Sequence, residues 1–306
     1  MRDLLSTPMF ADVAQRLRSL AEHLQQAPLL NLQAPSSLSG VLAMGQLEAA
    51  CLDAGLMYSR RFYPSRAHRP RDESPSISQS PHGMTVALMT EESTWTSEEL
   101  GFDDPVRLVP LTASVLTGST NKNHQGSVDV VAQAAALGAL LAPNGRRVRQ
   151  LRPMASLGMW LRGSLDTSVD LFHNLLMQHL NEEGTLRLVP LPEVAQPKPG
   201  MLPNVSDRRV KKLSRSWPTM DVNGRAQALS ELTLPCLSNS TLSTPRLESL
   251  IWCRMLVGDV PVDLASQLSH LQDAWPEAGS EQKQHASSVL DDWLTRGWLW
   301  SDPATD

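Results

Sequence analysis

The feature that most constrains the fold is the order of elements between residues 29 and 62. The apolar run LLNL at 29–32 ends in a Pro and Ser cluster, which indicates a short buried strand. A helical pattern follows and stops at Gly55, a residue suited to a left-handed helix cap. LMYSRRF at 56–62 then alternates as a second strand. A strand, a helix and a strand in this order form the crossover unit of a parallel sheet.

Two further apolar runs extend the predicted sheet. They are MTVALMT at 84–90 and VRLVPLT, which ends at Thr112. Residues 64–83, rich in Pro, Ser and charge, predict a long loop between strands. After the fourth strand we predict a polar loop, TGSTNKNHQGS, then Ser127 as helix cap and an alanine-rich helix over 128–141. The fold class is therefore α/β, with a parallel sheet and flanking helices.

The second part of the chain differs in composition. Residues 195–219 hold four prolines and a basic run, which is typical of a linker. Beyond them, helical patterns at 244–257, 264–275 and 282–296 precede the aromatic WLW. We predict an α/β domain over 1–194, a basic Pro-rich linker over 195–219 and a smaller, mainly helical domain over 220–306. An ordinary helical bundle is the favoured form of that last domain, and a winged helix is the alternative.

Composition restricts the environment of the chain. The three cysteines are widely spaced and form no CxxC pair, which predicts reduced thiols instead of a disulfide or a zinc site. No apolar run approaches the roughly 20 residues of a membrane span. The N-terminus mixes acids and bases, unlike a signal peptide. A cytoplasmic protein that does not enter the membrane is expected.

Charge is distributed unevenly along the chain. Residues 225–306 contain 11 acids and 5 bases, whereas the preceding part is near neutral and its bases are clustered. Such clusters predict surfaces for a polyanion or an acidic partner, and the alternative is an ordinary solvated surface. The clusters are Arg60, Arg61, Arg66, Arg69 and Arg71; Arg146, Arg147, Arg149 and Arg152; and Arg208, Arg209, Lys211, Lys212 and Arg215.

Motifs for metal or nucleophilic chemistry are missing from the sequence. The eight histidines are scattered, and no HExxH, Cys/His cluster or GxSxG elbow occurs. The paired acids at 91–92, 98–99 and 103–104 lie in loop-like segments and read as solvated charges. We therefore expect no catalytic residue, no bound metal and no cofactor.

One segment has the composition of an anion-binding loop. GSTNKNHQGS at 118–127 combines glycines, a lysine and several amide and hydroxyl donors ahead of a predicted helix N-terminus, which favours anions. A plain connection is the alternative. The candidate phosphate-binding or DNA-binding residues, in this loop and in the basic clusters, are Gly118, Ser119, Asn121, Lys122, His124, Arg60, Arg61, Arg146, Arg147 and Arg149.

The order of strand, loop, LSG, helix, Gly and strand with YSRRF resembles the start of the DHH phosphoesterase superfamily, the fold of RecJ-like exonucleases. In that family the first strand ends in two aspartates separated by one residue. Aligned through LSG, those positions are Ala34 and Ser36 in this chain. The third strand leads into Glu91 and Glu92 near a further metal-binding position. The fourth leads into Ala113 and Ser114, where Asp-His-His is expected.

The resemblance implies a phosphoesterase fold without its catalytic groups. Hydrolysis in the family uses two metal ions bridged by carboxylates, and alanine or serine cannot supply that charge. Related inactive proteins serve as scaffold subunits of the archaeal and eukaryotic replicative helicase, together with GINS and MCM proteins. The resemblance thus predicts a pseudoenzyme in DNA replication or repair that binds such partners or single-stranded DNA. Only 5% of residues are aromatic, which favours protein partners over tight strand binding.

Two alternatives remain at this point. One is an active metal-dependent phosphoesterase or nuclease, or a phosphate-binding enzyme that uses the loop from Gly118 to Ser127. The other is an interaction module unrelated to nucleic acid. The interaction module should bind DNA weakly and with little dependence on salt, whereas a basic surface that binds DNA loses affinity steeply as salt rises.

Overall fold

The structure is a computed structural model that describes residues 1–69, 73–79, 81–91, 102–103, 105–117, 122–166, 170–239 and 242–300. Within these residues, four parallel strands form one sheet in the order β2-β1-β3-β4. The strands are β1 Leu30–Pro35, β2 Tyr58–Tyr63, β3 Met84–Leu88 and β4 Val106–Leu108. The predicted α/β class and the parallel sheet are confirmed.

The first crossover forms as its sequence predicts. Helix α2 (Leu38–Ala54) begins with Ser37, whose hydroxyl accepts a hydrogen bond from the N–H of Gly40, and ends at Gly55 in the left-handed region with φ 68°. Gly40 is required by a close approach: a Cβ atom there would lie 2.1 Å from the carbonyl oxygen of Pro35. The LSG sequence therefore lets the helix turn back directly from the end of β1.

Helices cover the sheet and enclose α2. Helix α2 contacts β1 and also packs against four other α-helices of the described residues. A Cβ atom on Gly45 of α2 would lie 2.1 Å from the buried ring of Trp293, so the last helix of the chain fits closely against α2. The helices up to residue 183 are α1 Ala14–Gln25, α3 Val130–Leu141, α4 Arg146–Leu151, α5 Ser156–Trp160 and α6 Leu171–Glu183.

The segment after β4 differs from the prediction. The expected fourth strand divides at Val109 and Pro110, and two further strands, β5 (Leu111–Thr117) and β6 (Lys122–Val128), pair with each other antiparallel as a hairpin. Pro110 has no backbone N–H to donate to a sheet ladder. The carbonyl of Val109 accepts a hydrogen bond from the side-chain amide of Gln133 in α3 at 2.7 Å. The predicted polar loop over 122–127 is therefore wrong.

The helix after the hairpin starts later than predicted. Helix α3 begins at Val130, and its cap is Asp129, not Ser127. The Asp129 carboxylate accepts a hydrogen bond from the N–H of Ala132 at 2.8 Å. The sequence of β6 is mostly polar and lacks the alternation of apolar residues that indicates a strand, and its Gly126 is typical of a turn. Gly126 instead packs under the ring of Phe172, 2.2 Å from where a Cβ would stand.

The C-terminal part is mainly helical, as predicted. Its helices are α7 Asp207–Ser216, α8 Val222–Thr233, α9 Thr244–Trp252, α10 Leu264–Ala274 and α11 Gly279–Arg296. Short strands β7 (Arg187–Val189) and β8 (Arg254–Leu256) pair antiparallel, so the helix predicted to reach residue 257 ends at Trp252. Residues 297–300 form no strand, and the aromatic strand of the winged-helix alternative is therefore not found among the described residues.

The second half of the segment predicted to be a linker contains a helix. Residues 207–216 form α7, whose Leu213 is buried, and the adjacent Trp217 is buried as well. Val210, Leu213 and Trp217 follow at spacings of three and four, which places them on one face of a helix. Because this apolar pattern is short and the segment is rich in prolines and bases, the sequence did not predict the helix.

One cluster of buried apolar side chains contains residues from Leu4 to Leu299. The three cysteines are free, as predicted. Within the described residues, no helix combines the length and the apolar character needed to cross a bilayer.

Candidate functional site

The carboxyl ends of β1, β2 and β3 meet at one edge of the sheet, where open α/β folds bind their ligands. Ala34 and Ser36 stand at the end of β1 and are fully buried. The structure thus places these two predicted positions at the same edge. A cavity of about 240 Å³ lies at this end of the sheet, and its walls include Ser39, Thr90, Glu91, Pro110, Asp129, Gly158 and Arg162.

The end of β1 offers no charged ligand for a cation. The side chain of Ala34 has no donor atom, and the hydroxyl of Ser36 is buried without a hydrogen-bond partner. The backbone N–H of Ser36 donates to the carbonyl of Tyr63 at 2.8 Å, which joins the ends of β1 and β2. This point of the sheet is closed by the backbone and by small side chains.

Glu91, just after β3, is engaged by an internal cation. Nη2 of Arg69 lies 2.6 Å from Oε2 of Glu91, and the backbone N–H of Arg66 donates to Oε1 at 2.5 Å. The Arg69 side chain is only 5% exposed and that of Glu91 only 11%. The guanidinium also lies 5.9 Å from the ring centroid of Tyr63. A buried ion pair therefore occupies the position where a metal-binding carboxylate was expected.

Two further groups at this edge have perturbed acidities. Burial, reinforced by the charge of Glu91, raises the pKa of Tyr63, so its phenol is neutral at physiological pH. Burial raises the pKa of Asp129 to about 6, against the opposing effects of the Ala132 hydrogen bond and the positive charge of Arg162. Asp129 is thus close to half-protonated at weakly acidic pH.

The two-metal centre that the resemblance implies does not fit these residues. Such a centre needs several carboxylate or histidine ligands around each ion. Among the described residues, no group of three or more His, Cys, Asp or Glu side chains lies close enough to hold a metal. Glu92, the other predicted acid after β3, lies outside the described residues.

Ser114 is not at this edge, and its predicted placement is wrong. It lies in β5 opposite Gln125, and its N–H donates to Oδ2 of Asp12 at 2.8 Å. The residues that follow β4 are Val109 and Pro110. The break at Pro110 moves the sequence after it into the hairpin, so the alignment with Asp-His-His fails at this point.

The candidate anion loop is also rearranged. Gly118, Ser119 and Asn121 lie outside the described residues. Lys122 and His124 belong to β6, paired with Thr117 and Val115 in the hairpin. The N-terminus of α3, which was expected to face an anion, is capped by the carboxylate of Asp129 instead.

The basic candidates divide into two groups. Arg60 bridges Glu48 at 3.3 Å and Asp291 at 2.8 Å, and Arg147 pairs with Asp53 at 3.1 Å. These arginines therefore link parts of the fold. Exposed side chains, by contrast, are found at Arg61, Arg146 and Arg149 and along the basic side of α7, at Arg208, Arg209, Lys211, Lys212 and Arg215.

Sequence reasoning missed Asp129 and Arg162 as residues of the edge cavity. A signal for Asp129 existed, because aspartate is preferred at helix caps and directly precedes the apolar run VVAQAAA. Arg162 gave none. Its position depends on α5, which packs against α3 and brings Gly158 to the carboxylate of Asp129.

Comparison with known proteins gives no family for this chain: no protein-family model matches it, and no curated protein is significantly similar.

The buried carboxyl group of Asp129 predicts a pH-dependent stability. Its pKa is about 6 in the folded state against an ordinary value of 3.8. Between about pH 4 and 6 only the unfolded chain releases the proton, so the free energy of unfolding falls by roughly 3 kcal/mol as pH rises. Asp129→Asn keeps the cap acceptor without the charge. We expect it to be about 3 kcal/mol more stable than wild type at pH 8 and equally stable at pH 4.

Urea denaturation of both proteins at pH 4, 6 and 8 measures this difference. Asp221 caps α8 and is exposed, so Asp221→Asn is the matched control and should show no such gain at high pH. A variant Asp129→Asn less stable than wild type at pH 8 would show that the ionised carboxylate is favourable where it lies.

Proposed function

We propose that this protein is a non-catalytic, DHH-like binding subunit of a DNA replication or repair complex. The single observation that carries the proposal is the buried Arg69–Glu91 ion pair beside Ala34 and Ser36. Ala34, Ser36 and Glu91 stand where the resemblance expects metal ligands, and the carboxylate of Glu91 is paired with Arg69. The LSG entry of α2 and the parallel sheet support the same fold assignment.

The ion pair is incompatible with metal-dependent phosphate hydrolysis at this edge. A catalytic metal requires negatively charged ligands and open coordination positions for water and phosphate. A cation bound by Glu91 would have to displace the guanidinium of Arg69 from a largely buried contact. Two positive charges would then share a poorly solvated space, which is strongly unfavourable.

In this proposal the α/β domain over 1–194 serves as a scaffold, and the segment 195–219 connects it to a helical domain over 220–306. Exposed bases at Arg61, Arg146, Arg149 and along α7 offer positive surfaces. They suit replication proteins of the GINS or MCM type, or single-stranded DNA, in the cytoplasm. A near-neutral α/β body with clustered surface bases is consistent with electrostatic partner recognition.

The proposal predicts that the purified protein does not hydrolyse nucleic acid. Incubation with Mn²⁺ and 5′-labelled single-stranded DNA should release no more product than buffer alone, because the sheet edge lacks ligands for a catalytic metal. Product analysis on a denaturing gel measures this. Robust Mn²⁺-dependent cleavage by wild type that Glu91→Ala abolishes would overturn the proposal, provided that circular dichroism shows the variant to be folded.

A further inference from the structure

A second cavity, far along the chain from the sheet edge, has the character of a binding site. Its volume is about 320 Å³, within the range of small-ligand and side-chain pockets. Its lining comes from residues 191–211, β8, α10 and the stretch after α11. Its walls are mainly aliphatic, and the apolar lining includes Leu191, Met201, Leu202, Val205, Val210 and Val262.

A fixed, buried arginine forms part of this cavity. Arg254 of β8 is 1% exposed, and its Nη2 donates to Oδ2 of Asp263 at 2.8 Å and to Oγ of Ser266 at 2.7 Å. Its Nε has no hydrogen-bond partner. Because the pair with Asp263 holds the guanidinium in place, the cavity is preformed and does not depend on a ligand for its shape.

The rim of the cavity is positively charged on the side of α7. Asp207, Val210 and Lys211 of that helix line the cavity. An α-helix turns by 100° per residue. This places four basic side chains beside one another on the helix surface next to the cavity: Lys211 and the exposed Arg208, Lys212 and Arg215. The ion pairs formed among the described residues involve none of these four side chains. An aliphatic pocket, lined on this side by one carboxylate at Asp207, thus borders four basic side chains that take part in none of these ion pairs.

We propose that this cavity and α7 bind an acidic peptide segment of a partner protein, with one large aliphatic side chain inserted into the cavity. The inference rests on the proposed function, since it names how the scaffold holds a partner. Charge complementarity selects the acidic flanks, and the aliphatic walls select the anchor. Amphipathic recognition of this kind, with an apolar anchor in a groove, is common among peptide-binding proteins.

The walls favour a peptide over a nucleic acid. Bases bind proteins chiefly by stacking on exposed aromatic faces. The indole of Trp300 at this cavity is stacked against the imidazole of His270, which also lines it, with ring centroids 3.8 Å apart and planes 6° apart. One of its faces is therefore covered, and the remaining walls are mainly aliphatic.

Fluorescence anisotropy with the full chain tests the proposal. The probe is a labelled peptide of about twelve residues, Glu-rich with one central Leu, and its matched control carries Asn in place of Leu. Ala195 lines the cavity and is exposed, so Ala195→Trp fills the cavity without disturbing the core. We expect the Leu peptide to bind tenfold or more tightly than the Asn peptide, and Ala195→Trp to remove that difference.

Charge reversal separates the rim from the pocket. Lys211→Glu with Arg215→Glu should weaken both peptides tenfold or more at low salt, whereas Arg107→Glu with Lys283→Glu, at exposed positions elsewhere, should leave binding unchanged. Equal melting temperatures show that the variants are folded.

Equal affinity for the two peptides, or no binding of either, would overturn the proposal. Binding of labelled oligothymidine that Ala195→Trp weakens as strongly would also overturn it, since the cavity would then accept a base. These failures leave the proposed non-catalytic function intact, because that function is tested by DNA hydrolysis at the other site.

Discussion

Replacing Arg69 with methionine is expected to lower the free energy of unfolding by about 3–5 kcal/mol. The side chains of Arg69 and Glu91 are 5% and 11% exposed, and the contact between them measures 2.6 Å. Without the guanidinium, the carboxylate keeps the N–H of Arg66 but loses the opposite charge in a poorly solvated position. Urea denaturation at pH 7 measures the loss.

Two variants make this result specific. Arg69→Met with Glu91→Gln should recover a substantial part of the loss, because no uncompensated charge is then buried. Arg18→Met breaks the exposed contact with Asp3, whose side chains are 44% and 48% exposed, and should cost at most about 1 kcal/mol. If Arg69→Met cost no more than Arg18→Met, the pair would not stabilise the sheet edge and Glu91 would be available to a ligand.

Placing a carboxylate at the end of β1 is expected to lower stability by a similar amount. Ser36 is fully buried, so Ser36→Asp places a carboxyl group out of contact with solvent. We expect a loss of about 3–5 kcal/mol at pH 7. Ser36→Ala is the control and should change stability by less than about 1 kcal/mol, since the hydroxyl it removes has no hydrogen-bond partner.

The response of Ser36→Asp to Mn²⁺ shows whether this edge of the sheet can bind a metal when one carboxylate is added. If the carboxyl edge of the sheet lacks the other ligands of a metal site, Mn²⁺ should not raise the melting temperature of Ser36→Asp. A large rise on addition of Mn²⁺ would show that one carboxylate is enough to rebuild a metal site, because a ligand that binds only the folded state stabilises it.

The first crossover could be predicted from sequence because its signals are local. The apolar run of β1, the Ser37 cap, the Gly40 contact and the Gly55 terminus all lie within one stretch of chain. The same reasoning failed after β4. There the polar strand β6 is stabilised by pairing with β5 and by packing on Phe172, which no local pattern encodes.

The candidate site was predictable to a similar extent. Ala34 and Ser36 follow directly from the end of a strand, so their position at the sheet edge was inferred from the sequence. The pair of Arg69 and Glu91 joins residues 22 positions apart through a segment predicted to be a loop. Its partners are set by tertiary packing. The cavity beside α7 likewise depends on contacts between distant segments.

Calorimetric titration of the wild-type protein with Mn²⁺ tests the central claim most directly, that the carboxyl edge of the sheet is closed by its own residues. Arg69 already neutralises Glu91, and Ala34 and Ser36 supply no charge. We therefore predict no stoichiometric binding of Mn²⁺ and no rise in melting temperature. Stoichiometric binding that is lost in Glu91→Gln, but kept in Glu22→Gln at the exposed surface of α1, would contradict the claim.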